Sequence, residues 1–116
     1  MNESILESIK KLLGISVDYT HFNSDLITHI NSVLMILTQV GVGPESGYSI
    51  TGSTETWQDF LGTYGASRLM AVRTYIYLKV KIVFDPPQSS AALESLNHLI
   101  SEFEWRLNVA GDNDHA

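Results

Sequence analysis

The sequence predicts a mainly α-helical protein, a small bundle of four to five helices with one long loop at about residues 41–54. Three observations carry this expectation. Apolar residues recur at spacings of three and four along most of the chain, the period of a helix with one buried side. Glycines and a proline pair fall between those periodic segments. The one stretch with strand character has no evident second strand to pair with. At 116 residues the chain is expected to be a single domain, 1–116, large enough to fold without crosslinks.

The first helix is expected from Glu3 to Leu13. Glu3 and Glu7 sit early and Lys10 and Lys11 late, matching the helix dipole, and Gly14 is placed to end it. A second helix should begin near Asn23 or Ser24, either of which can cap free amides. In it, Leu26, Ile30, Val33, Leu37 and Val40 lie within about 80° of one another on the helical wheel. Residues 41–54 hold four glycines and a proline and read as a loop. Thr54 can cap a short third helix carrying Trp57, Phe60 and Leu61 and ending at Gly62.

From Ala66 to Phe84 two readings compete. Thr74 to Phe84 is β-branched and aromatic, with Lys79 and Lys81 alternating against Val80 and Ile82, as in a strand. As a helix, Leu69, Val72, Ile76, Val80 and Val83 form one stripe, and Ala71, Tyr75, Leu78 and Ile82 form a second, roughly 130° away. Helix is favoured. Pro86 and Pro87 stop it, since proline restricts the residue before it and lacks an amide hydrogen. Ser89 or Ser90 can cap a last helix running to about Val109, with Leu93, Leu96, Ile100, Phe103 and Leu107 inward and Glu102 paired with Arg106. Residues 111–116 are expected to be a flexible polar tail.

Composition narrows the function. There is no cysteine, which removes disulfides, thiol catalysis and thiolate zinc sites. The net charge of −6 argues against a sequence-independent DNA-binding surface. Only 17% of residues are charged, below the ~25% of ordinary domains, which points to surface covered by partners. Met1 to Leu13 lacks the basic-then-apolar order of a signal peptide. The charge-free run between Asp25 and Glu45 carries about fifteen helical residues, rising ~22 Å, short of a ~30 Å membrane core.

No chemical constellation emerges. His21, His29, His98 and His115 are scattered without metal-ligand spacing, and Gly41, Gly43 and Gly47 have the wrong spacing and context for a nucleotide loop. No catalytic, cofactor-binding or metal-binding residue is assigned, and no cofactor is expected. Two features look like contact surface: the stripe Ala71, Tyr75, Leu78 and Ile82, and the pair Trp105 and Val109, one turn apart and opposite the inward stripe of the last helix. Each has a plainer alternative. The stripe can be buried on a second side within the monomer, and the tryptophan can pack under the loop or the first helix. Arg68, Arg73, Lys79 and Lys81 form a basic run with no acid between Asp59 and Asp85, yet they do not share one face. Pairing with a neighbour's acids suits them better than a nucleic-acid groove.

A resemblance then enters. The segment Tyr75-Ile-Tyr-Leu-Lys-Val-Lys-Ile-Val-Phe-Asp-Pro-Pro87, the following Ser89-Ser90 and the E-F-E-W-R-L-N-V run to Val109 are similar to head–tail connector (adaptor) proteins of tailed bacteriophages infecting Gram-positive bacteria. So are ESIKKLLGI near the start and the stretch from His29 to Pro44. The likeness covers nearly the whole chain apart from the loop and tail. It implies a helical adaptor in the virion, at the head–tail junction, made in the host cytoplasm. It further implies a ring of copies of itself, often dodecameric, beneath the portal protein. That ring would extend the DNA channel, pass DNA without sequence-specific binding, and offer a platform to stopper, head-completion or tail proteins. It favours helix for residues 66–84. The alternative function is a small helical phage or bacterial regulator binding a protein partner or DNA; an enzyme or a membrane protein is not expected.

Overall fold

Every break between helices carries a glycine or a proline pair. The computed structural model describes residues 3–63 and 65–115, with side chains as far as Val109. Five helices follow in order: α1 (Ile5–Leu12), α2 (Asn23–Gln39), α3 (Trp57–Leu61), α4 (Ala66–Phe84) and α5 (Ser90–His115). Among the described residues there is no strand; Ser4 and Thr56 make one isolated antiparallel bridge. The ambiguous stretch 66–84 is helical throughout.

The helix ends show why the boundaries fall where they do. Ser4 Oγ accepts from the Glu7 amide at 3.2 Å and starts α1. At its other end, Gly14 (φ 79°) donates to Lys11 O at 3.1 Å and Ile15 to Lys10 O at 2.8 Å. This paired closure needs a left-handed residue, which glycine adopts without a Cβ clash. Gly41 and Val42 close α2 the same way on Thr38 and Leu37. Ser89 caps α5, its Oγ accepting from the Ala92 amide at 3.1 Å.

Two expected caps are corrected. α3 is capped by Thr56, not Thr54: Thr56 Oγ1 accepts from the Asp59 amide while Asp59 Oδ2 accepts from the Thr56 amide. This reciprocal pair satisfies two donors where a lone Thr54 would satisfy one. α2 begins without a side-chain cap, with Phe22 at the N-cap position and Asn23 already helical. The Phe22 ring stands edge-on to Phe84, centroids 5.1 Å apart, so a tertiary contact sets the entry of α2. The last helix also continues beyond the expected Val109 to His115. A lone glycine such as Gly111 costs a helix about 1 kcal/mol against alanine and does not by itself end it.

α4 is the centre of the bundle, packing against α2, α5 and α1. Of its first stripe, Val72, Ile76 and Val80 are buried, Leu69 is half-buried and Val83 is exposed, while Tyr75 and Leu78 of the second are buried. Leu26, Ile30, Val33, Leu34 and Leu37 of α2 and Ile5, Leu6 and Ile9 of α1 complete the core, with Trp57 and Phe60 of α3 closing one end. α5 is held more lightly, with Ile100 and Leu107 buried and Leu93, Leu96 and Phe103 half-buried.

The loop 41–56 is built rather than loose. Asn31 on α2 accepts from the Ile50 amide (2.7 Å) and donates to the Ile50 carbonyl (2.9 Å). Glu55 accepts from the Thr51 amide and hydroxyl, each at 2.8 Å. The amides of Ile5 and Trp57 donate to Glu55 O and Glu3 O, joining the starts of α1 and α3. Val42 and Ile50 are buried.

Candidate functional site

The expected contact residues separate into two groups. Tyr75 (1% exposed) and Leu78 are buried in the monomer, and Ala71 and Ile82 are half-buried. Tyr75 shows what covers this stripe: its hydroxyl donates to Glu104 Oε2 of α5 at 2.7 Å. Burial, then the hydrogen bond and negative charge of Glu104, push the Tyr75 phenol above its ordinary pKa. Lys79 Nζ lies 3.9 Å from the same carboxylate oxygen. The second stripe of α4 is thus the seat of α5, and Tyr75 and Leu78 offer no exposed surface to another chain. The helical period counted them as apolar but could not say whether a helix of the same chain would reach them.

Trp105 (69% exposed) and Val109 (43% exposed) lie on the outer side of α5. They are one turn apart, so one apolar patch contains both. Among the described residues, Trp105 has the largest exposure of any large apolar side chain. A bared indole of this kind is a common interface anchor.

A second apolar feature contains only Ala71 of the expected contact residues. Ala66, Ser67, Met70, Ala71 and Thr74 of α4 and Phe103 of α5 line a groove of about 320 Å³. Met70 is 61% exposed at its edge. The signal was present in the wheel: Met70 belongs to neither stripe of α4, and a large apolar residue off both stripes has no place in the core.

Charge is divided between the two helices that form this surface. α4 holds four basic residues (Arg68, Arg73, Lys79, Lys81) and no acid; α5 holds five acids (Glu94, Glu102, Glu104, Asp112, Asp114) and one Arg106. Lys81 pairs with Asp85 at 3.6 Å, and Arg106 with Glu102 at 2.8 Å as the sequence expected. The basic run does not form one open face: Lys79 and Lys81 are engaged by acids, and Arg68 and Arg73 are half-buried.

Other polar groups serve the fold through partners that the sequence did not indicate. Lys10, 1% exposed, donates from Nζ to the carbonyls of Val17 (3.0 Å) and Tyr19 (2.6 Å). Trp57 Nε1 donates to Ser8 Oγ at 2.9 Å. Among the described residues, no three His, Asp or Glu are grouped to hold a metal ion, and no helix is long and apolar enough to cross a membrane.

Comparison with known proteins gives one match. No curated protein and no solved structure matches the chain. The family model for phage connector proteins matches residues 5–114, from the first residue of α1 into the last turn of α5. That family is structural rather than catalytic, and membership implies a place at the virion's head–tail junction and association with portal and tail proteins. This all-α bundle, matched across all five helices, belongs to the phage connector protein family.

Proposed function

We propose that this chain is a head–tail adaptor that assembles as a ring, dodecameric in the virion, under the portal protein. The ring extends the DNA channel and gives stopper, head-completion or tail proteins a docking platform. The observation that carries this reading is the connector-family match over residues 5–114. The surface is consistent with it. Apolar patches on different sides of one small subunit suit head-to-tail contacts, which close into rings when the rotation allows. A net charge of −6 suits a channel through which DNA slides, since a basic lining would hold phosphates. The chain acts as a passive joint, made in the host cytoplasm and used in the virion, with no cofactor and no membrane partner.

Light scattering of the protein alone and mixed with its own phage's portal assembly tests this. Saturable co-migration at ring stoichiometry is expected. A monomer alone is compatible, because a portal surface can template the ring. Failure to bind the portal and the neighbouring head-completion protein would remove the adaptor reading.

A further inference from the structure

We draw no further inference here: the strongest candidate, the exposed apolar patch of Trp105 and Val109 on the outer side of α5, carries nothing because nothing in the structure shows what covers it.

Discussion

Tyr75 of α4 and Glu104 of α5 are joined by a 2.7 Å hydrogen bond, and this bond marks the face of α4 on which α5 sits. Y75F removes the hydroxyl but leaves Glu104 beside Lys79. Glu104 is partly exposed, so the expected loss is modest, about 1 kcal/mol, seen as a lower urea midpoint. The pH dependence has a definite sign. The phenol is raised above its ordinary value of 10.0 in the folded chain, so its contribution is full below pH 10. It is lost as pH climbs beyond 10, where the unfolded chain ionises first. Alkaline unfolding followed by phenolate absorbance should show this slope in wild type and a smaller one in Y75F.

N31A is expected to free the loop 41–56 from α2. Both backbone groups of the buried Ile50 lose their partner, at a cost of about 2–3 kcal/mol. Amide exchange at Ile50 should accelerate more than exchange in α4. Equal acceleration everywhere would mean that the loop and bundle unfold as one.

Two glycines with the same backbone sign should respond differently to alanine. Gly14 (φ +79°) has nothing within 4 Å of an added Cβ, so G14A should cost about 1 kcal/mol of backbone strain alone. Gly43 (φ +84°) would place its Cβ 2.4 Å from Phe60 Cε1, against a buried ring. G43A should cost about 3 kcal/mol, and thermal midpoints of the two variants would rank them.

Glu55 gives the acid limb of the pH profile. Burial raises its pKa, but the hydrogen bonds from the Thr51 hydroxyl and amide outweigh burial and leave it lowered below 4.5. Its contribution is present above that value and lost as pH falls through the folded pKa. E55Q should flatten this loss, and the check is a comparison of thermal midpoints from neutral pH downward.

Lys10 ties the segment after α1 to the bundle through the carbonyls of Val17 and Tyr19. K10M keeps the apolar stem and removes the donor. The expected cost is about 1–2 kcal/mol, reduced because Tyr19 is exposed and its carbonyl can meet water. Faster amide exchange across residues 15–22 would report it.

The sequence carried much of this fold because its punctuation is local. Gly14, Gly41, Gly62 and the pair Pro86-Pro87 mark ends that depend on backbone geometry, and Ser89 acts within one turn. What escaped depends on groups distant along the chain. Asn31 meets Ile50, Trp57 meets Ser8, and Phe22 meets Phe84, none at a spacing that a periodicity can show. Lys10 read as a dipole partner because lysine is seldom buried, and its two acceptors lie in an irregular segment. For the contact surface, the wheel separated Trp105 from its helix's inward stripe. It could not tell that Tyr75 meets α5 or that Leu78 is buried in the monomer, since both outcomes share one apolar pattern.

The two tryptophans occupy opposite surroundings, Trp57 sealed in the core and Trp105 bared to solvent. Nature has thereby installed two optical probes with separate duties. Trp57 should emit toward the blue and resist iodide quenching until the bundle melts. Trp105 should emit toward the red, quench readily, and lose that accessibility only where a partner covers it. Emission colour and quenching can then distinguish folding from a contact made on α5 in one unlabelled sample.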